Sequence, residues 1–172
     1  GPVVAAAVVL PPDCALPGLD DSKRLKPEAR ESLYRLIVDE ARGWAVASET
    51  AEVIDRINIL QAALRAMAGA VHHLTPAPDC LLVGGLHTVP LPPGLHIEQT
   101  PVVHGDAQSA SIAAASILAK VSRDRQMEEF DRLHPGYGFA RHKGYPTPAH
   151  LEALKRLGPS PIHRKSFRPV RE

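Results

Sequence analysis

Continuous apolar runs alternate along the chain with segments in which apolar residues recur at helical spacing. Residues 3–10, VVAAAVVL, lie between prolines and predict a strand that is buried on both faces. Further strands are predicted over residues 44–50, 80–83 and 97–103. Helices are predicted to begin near Pro27 and to cover residues 58–74, a long segment after residue 106 and residues 149–157. This alternation predicts an α/β fold with a mixed or mostly parallel sheet.

The length and composition predict a single domain. The 172 residues, 44% hydrophobic and 23% charged, are enough to bury a substantial core, and we expect residues 1–172 to form one domain whose residues 135–172 are a C-terminal helical segment. No apolar run approaches membrane-spanning length, so we expect a cytoplasmic monomer without a membrane partner. The two cysteines, Cys14 and Cys80, form neither a disulfide framework nor a zinc-binding pattern.

The distribution of charge changes this picture only locally. A net charge of +1 excludes a uniformly basic nucleic-acid-binding protein, but basic residues are concentrated late in the chain, in RHK at 141–143 and HRK at 163–165. A basic face that binds a phosphate backbone is one interpretation. The other is that these side chains complement helix dipoles and remain solvated. The sequence leaves both open.

The segment that carries candidate chemistry is residues 105–134, in which one carboxylate precedes an unusually small-faced helix. The small residues should let the helix backbone lie close to a sheet, and they are Ala110, Ala113, Ala114, Ala115 and Ala119. Asp106 has two interpretations. Its side chain can cap the free N–H groups of the first helical turn. It can also bind a divalent cation, because such cations prefer oxygen ligands and a rigid helix would hold this one in place.

Five segments of the chain resemble the ribonuclease HII family, and together they cover essentially its whole length. They are GPVVAAAVVL at 1–10, DSKRL at 21–25, GDAQSASIAAASILAKVSRDRQM at 105–127, HKGYPTPAH at 142–150 and IHRKSF at 162–167. The resemblance implies a ribonuclease H-like fold, a mixed sheet flanked by helices. It also implies an endonuclease that hydrolyses RNA in RNA–DNA hybrids and at ribonucleotides in a DNA duplex. Four carboxylates would hold two Mg²⁺ or Mn²⁺ ions, and the products would carry 5′-phosphate and 3′-hydroxyl ends.

The resemblance implies roles for three residues that this chain retains. Asp106 matches a catalytic metal ligand. Lys23 matches a lysine near the substrate phosphate, although an ordinary solvated loop lysine is an equally good interpretation. Tyr145 matches a tyrosine that packs on a sugar beside the ribonucleotide, and the alternative is a tyrosine that covers the edge of the core.

Other polar residues in these motifs have simpler explanations. Asp124 lies four residues after Lys120, and an ion pair between them explains it. We expect structural roles for His142, His150 and His163, because this chemistry needs no histidine nucleophile.

The chain departs from the family pattern at two places that concern metal binding. The family's first strand ends in Asp-Glu-Ala-Gly-Arg-Gly ahead of the position of Gly1, and the family's Val-Asp-Gly reads Val83-Gly84-Gly85 here. Gly84 cannot ligate a metal through a side chain. We therefore expect a fold without the first central strand, with two strand edges left unpaired, and a chain that is inactive or severely impaired. The alternative is a non-catalytic homologue or fragment that at most binds nucleic acid.

Overall fold

The computed structural model describes residues 1–171, which form four strands and seven helices. The strands are β1 (Val3–Val9), β2 (Gly43–Glu49), β3 (Cys80–Gly84) and β4 (Glu98–Val102). The helices are α1 (Pro27–Glu40), α2 (Ala51–Ile57), α3 (Ile59–His72), α4 (Gly105–Gln108), α5 (Ala110–Leu133), α6 (Phe139–His142) and α7 (Pro148–Leu157).

The strands form two separate pairs. β1 and β2 are antiparallel, with Val9 opposite Gly43, whereas β3 and β4 are parallel, with Gly84 opposite Val102. The predicted mixed α/β class is therefore confirmed. Within residues 1–171 the two pairs share no ladder, so β1 and β3 each have one edge without a strand partner. Unpaired edges of this kind were expected from the sequence.

A groove of about 810 Å³ lies between β1 and β3. Its remaining walls are α3 on one side and α5 on the other, and α5 contributes Ser111, Ile112, Ala115, Ser116 and Ala119. Gly43, opposite the end of β1, lies so close to Thr75 that an added Cβ would collide with the Thr75 carbonyl oxygen. Because Thr75 comes shortly before β3, the end of β1 and the start of β3 lie at the same end of the groove. The two strands therefore run in opposite directions.

Helices cover both faces of the sheet. On one face α1 and α5 pack on β1, and their fully buried side chains include Ile37, Ile117 and Leu118. On the other face α3 packs on β1 and β2. The predicted close approach of the small-faced helix is confirmed, since α5 packs on β1, and its Ala113 and Ala114 are 2% and 0% exposed.

Strand β1 is less buried than the sequence predicts, and β3 is buried on one face only. In β1 only Ala5 is buried. The other residues are half-buried, because one edge of the strand faces the groove. In β3 the side chains alternate. Leu81 and Val83 are buried against α3, whereas Cys80 and Leu82 are exposed. A continuous apolar run therefore does not indicate burial on both faces here.

The helix predicted over residues 58–74 is α3, and a separate short helix, α2, precedes it. Asn58 separates the two with a φ of 69°, and its Oδ1 accepts a hydrogen bond from the Gln61 N–H at 3.0 Å, which caps α3. Thr50 caps α2 in the same way, by accepting from the Val53 N–H. The pattern over residues 44–50 predicts a strand that ends at Thr50, and α2, which begins at the next residue, is not predicted. Ile59, the first residue of α3, is 38% exposed.

Polar contacts attach the C-terminal residues to the rest of the chain. The Asp55 carboxylate accepts hydrogen bonds from the N–H groups of Lys165 and Ser166, and the Arg164 guanidinium donates to the carbonyls of Gly1 and Pro2.

No helix among residues 1–171 has both the length and the apolar character needed to cross a membrane.

We expect the 172-residue chain to unfold over a broad, concentration-dependent transition. The exposed backbone groups of β1 and β3 can pair with the same edges of another molecule. Thermal unfolding followed by circular dichroism at several concentrations, with sedimentation velocity at each, measures this. Leu82→Lys, in the groove, should reduce self-association, whereas Leu86→Lys, 74% exposed and outside the groove, should not. A sharp, concentration-independent transition from a monomer would contradict this expectation.

Candidate active site and nucleic-acid interface

Asp106 lies in the single turn of α4, which joins β4 to α5. The side chain is half-buried at the groove, and its carboxylate makes no hydrogen bond or ion pair with any of residues 1–171. The predicted capping role is wrong for α5, because Ser109 occupies that position and its Oγ accepts a hydrogen bond from the Ile112 N–H at 3.4 Å. Asp106 is therefore free to bind a ligand.

Gly84 and Asp106 lie at the same end of the groove. An added Cβ at Gly84 would lie 3.0 Å from Ile112 Cγ2, and one at Gly105 would lie 2.5 Å from Ile112 Cδ1. The N–H of Gly85 also donates to the carbonyl of Val102, shortly before Asp106, at 3.0 Å. The structure thus brings together the two positions that the family resemblance assigns to metal ligands.

The residues of this groove do not by themselves fit a site for two divalent cations. Asp106 and Asp79 are the carboxylates that line it, and Asp79 precedes β3 at the opposite end. Among residues 1–171, no three His, Cys, Asp or Glu side chains form a group that could hold a metal ion. Two adjacent cations need several oxygen ligands, including shared carboxylates. Asp106 supplies only one carboxylate.

Tyr145 forms an exposed aromatic surface beside two cations. Its side chain is 57% exposed, and the Lys120 Nζ and Arg123 Cζ atoms each lie 5.8 Å from the ring centroid. The turn before it contains two residues in the left-handed region, Lys143 and Gly144, with φ values of 51° and 82°. Tyr145 does not cover the core edge, because most of its ring faces solvent.

Lys23 lies in an exposed loop beside the α5 wall of the groove. The hydroxyl of Ser22 is 2.8 Å from the hydroxyl of Ser116, which lines the groove, and the Lys23 N–H donates to Asp21 Oδ1 at 2.9 Å. The backbone of this loop is therefore held against α5, while the Lys23 side chain remains exposed.

Helix α5 connects the two parts of the site. Ile112 lies beside Asp106 and Lys120 lies beside Tyr145, a separation of about 12 Å along the helix. Lys120 and Arg123 are not among the site residues predicted from the sequence. Their i,i+3 spacing, which places them on one helix face, was the available signal.

The late basic residues are partly structural. The predicted ion pair between Lys120 and Asp124 is confirmed at 2.7 Å. Arg123 donates to the carbonyls of Pro2 and Lys143, and Lys143 pairs with Glu128 at 2.6 Å. A local basic surface therefore remains around Tyr145, but it is smaller than the charge distribution suggests.

The layered α/β architecture belongs to the ribonuclease H-like class. The structure matches the crystal structure of ribonuclease H2 from Pyrococcus horikoshii OT3 with a TM-score of 0.81 and 25% sequence identity, over 99% of this chain and 89% of that one. A match to Bst-RNase HIII, solved in complex with Mn²⁺, has a TM-score of 0.52 and 18% identity over 82% of this chain and 51% of that one, which is a likeness of fold alone.

The sequence comparisons identify the family. The family model for ribonuclease HII matches residues 1–170. A ribonuclease HII from Geobacter sulfurreducens is 57% identical over 172 residues, which are 100% of this chain and 77% of that protein. The chain therefore belongs to the ribonuclease HII family of hydrolytic nucleases.

We expect Ser109→Ala and Asp106→Ala to have different effects on stability. Ser109 caps α5, so its loss should lower the free energy of unfolding by about 0.5–1 kcal/mol. The Asp106 carboxylate has no protein partner among the described residues, so its loss should change that free energy by less than about 0.5 kcal/mol. Urea unfolding of both variants measures the difference. An equal loss in Asp106→Ala would make that carboxylate a structural group.

Proposed function

We propose that this chain is the substrate-binding core of a ribonuclease HII-type endonuclease. Its substrates are RNA–DNA hybrids and DNA duplexes that contain ribonucleotides, and the reaction leaves 5′-phosphate and 3′-hydroxyl ends. The observation that carries the proposal is the family match over residues 1–170. The exposed ring of Tyr145, beside Lys120 and Arg123, supports it, because aromatic faces and cations are the groups that contact sugars, bases and phosphates.

The substrate lies across α5 in this proposal. Tyr145 packs on a sugar beside the ribonucleotide, and Lys120 and Arg123 attract the adjacent phosphates. Lys23, in the loop beside the α5 wall of the groove, contacts a further phosphate. Binding should weaken with salt, because each neutralised phosphate releases counterions. The scissile phosphate is then directed towards the end of the groove that contains Asp106.

We assign Asp106 as a metal ligand and catalytic residue. The family resemblance implies two Mg²⁺ or Mn²⁺ ions, and Bst-RNase HIII, which has a similar fold, was solved in complex with Mn²⁺. Such ions would supply water activation and leaving-group stabilisation. With Asp106 alone and Gly84 at the neighbouring position, hydrolysis by the described residues is not supported. We therefore expect the 172-residue chain to cleave at a negligible rate.

A second candidate function is a nucleic-acid-binding homologue without catalysis. The observation that favours it is Gly84, since a glycine contributes no ligand whatever chain is added elsewhere. The two candidates share the Tyr145 surface and differ in whether added carboxylates produce cleavage.

Tyr145→Ala should weaken binding of a fluorescently labelled RNA–DNA hybrid about fivefold to tenfold, because one stacking contact is lost. Fluorescence anisotropy in EDTA measures this without cleavage. Tyr145→Phe keeps the aromatic face and should bind like the parent chain. Trp44→Ala, which removes another exposed aromatic side chain, is the control and should leave binding unchanged. If Tyr145→Ala bound as well as the parent, the proposed interface would be wrong.

We expect cleavage only when two changes are combined: an added strand that carries carboxylates, and a carboxylate at position 84. The groove has two unpaired edges that run in opposite directions, so one added strand can pair parallel with β3 and antiparallel with β1. A strand ending in Asp-Glu-Ala-Gly-Arg-Gly and fused ahead of Gly1 would end beside Asp106. We expect this fusion to raise stability first and to leave cleavage low. Gly84→Asp should then raise cleavage strongly and non-additively, because the carboxylates act as one unit.

The measurement is cleavage of a duplex with one ribonucleotide across Mn²⁺ concentrations, for the present chain, each change alone and both together. Gly84→Ala in the fused protein is the matched control, because it introduces the same 3.0 Å contact with Ile112 without a carboxylate. Full activity from the fusion alone would show that Gly84 is tolerated. A folded but inert double variant would rule out the assigned role of Asp106, and robust cleavage by the present chain that disappears in Asp106→Asn would show that one carboxylate is sufficient.

A further inference from the structure

Three histidines lie buried beneath the loop that carries Tyr145. His142, His150 and His163 are 8%, 7% and 6% exposed and surround the buried ring of Phe139. The rings of His142 and His150 are stacked, with centroids 4.2 Å apart. The proposed function gives none of them a chemical role, and a polar ring that is buried is expected to be hydrogen-bonded.

The hydrogen bonds of His163 and His150 determine which ring nitrogen carries the proton in each of these two side chains. The N–H of Ser160 donates to His163 Nδ1 at 2.9 Å, so this nitrogen is an acceptor and the proton of a neutral His163 is on Nε2. That Nε2–H donates to His150 Nε2 at 3.2 Å. The proton of His150 is therefore on Nδ1, which donates to the carbonyl oxygen of Tyr145 at 2.9 Å.

His142 holds the other side of the same loop. The N–H of Gly144 donates to His142 Nδ1 at 3.2 Å, so the ring proton is on Nε2, which donates to the carbonyl of Tyr137 at 2.8 Å. The residue before Tyr145 and the carbonyl of Tyr145 itself are thus both tied to buried imidazoles. Because Lys143 and Gly144 are in the left-handed region, this loop conformation needs such support.

We propose that His150 and His163 are positioning residues for Tyr145, that their hydrogen-bond chain from Ser160 to the Tyr145 carbonyl forms only when both rings are neutral, and that acidification therefore weakens nucleic-acid binding. This inference rests on the proposed role of Tyr145 in binding. It concerns the loop that presents the ring to the substrate and involves no metal.

A proton added to His150 goes to Nε2 and would place two N–H donors opposite each other at the 3.2 Å contact with His163. A proton added to His163 goes to Nδ1 and would face the Ser160 N–H at 2.9 Å. The charged or titratable groups that face the pair are the amino group of Gly1, His134, His142 and Tyr137, and none of these is a carboxylate. Burial, followed by the neighbouring His150, lowers the pKa of His163 to about 4, and burial lowers the pKa of His150 as well.

The sign of the pH effect follows from these depressed pKa values. The unfolded rings titrate near 6.5 and the folded His163 ring near 4, so the neutral pair contributes stability above about pH 6.5. This contribution is lost as the pH falls from there towards 4. Binding that depends on the loop should weaken over the same window.

The first experiment tests the hydrogen-bond chain without nucleic acid. In ¹⁵N-labelled full chain at pH 7.5, the imidazole ¹⁵N shifts should identify His142 and His163 as Nε2–H tautomers and His150 as the Nδ1–H tautomer. Acidification towards pH 4 should shift both His150 and His163 signals together. Rings that show averaged, solvent-exposed shifts, or the opposite tautomers, would overturn the proposal.

The second experiment tests the link to binding, with the labelled hybrid and anisotropy in EDTA. His150→Phe removes the donor and should weaken binding about fivefold, whereas His150→Asn, whose amide can still donate to the Tyr145 carbonyl, should restore it. In the Tyr145→Ala background, His150→Phe should have no further effect, and the parent chain's loss of binding at low pH should be absent. Additive losses would mean that His150 acts on stability alone and would overturn the positioning role.

The two experiments separate the failure of this inference from that of the proposed function. Unchanged binding in Tyr145→Ala would reject the binding surface and the positioning role with it, even where the tautomers agree. Weakened binding in Tyr145→Ala with the wrong tautomers would keep the proposed function and reject only the histidine chain.

Discussion

The close contact between α5 and the sheet is the constraint on which the rest of this structure depends. Ala113 and Ala114 have side chains small enough for the helix backbone to approach β1, and fully buried Ile117 and Leu118 fill the space towards α1. Because this long helix is held firmly against the sheet, it fixes the relative positions of the residues along it. Its first half begins beside Asp106 and forms one wall of the groove, and the cations beside Tyr145 lie near its middle.

The groove shows how much a functional site in this fold depends on the completeness of its sheet. Backbone N–H and C=O groups of β1 and β3 face each other across the groove without ladder partners among the described residues. The same space adjoins Gly84 and Asp106, so whatever fills it with paired backbone also determines which side chains surround Asp106. Stability and catalytic competence therefore depend on the same region of the structure.

The C-terminal residues support the other half of the site by a different kind of interaction. There, hydrogen bonds between backbone and buried side chains accompany the apolar packing around Phe139. Arg164 binds the carbonyls at the start of β1, and the imidazoles of His150 and His163 connect Ser160 with the Tyr145 loop. A buried polar network of this kind is rigid only when every donor has an acceptor. Its sensitivity to protonation follows from that requirement.

Much of the secondary structure of this protein is predictable from hydrophobic patterning and local sequence signals alone. The alternation of strands and helices, the position of α1 after Pro27 and the small face of α5 were all predictable, because they depend on neighbouring residues. The motifs also indicated the family, and with it Asp106, Lys23 and Tyr145 as candidates. Burial of β3 on one face only, the capping of α5 by Ser109 in place of Asp106, and the proximity of Gly84 to Asp106 were decided by tertiary structure. Each depends on which distant segments share a face of the sheet, and one-dimensional spacing does not contain that information. The histidine tautomers belong to the same group, because the proton position on each ring is set by partners that only the folded chain brings within hydrogen-bonding distance.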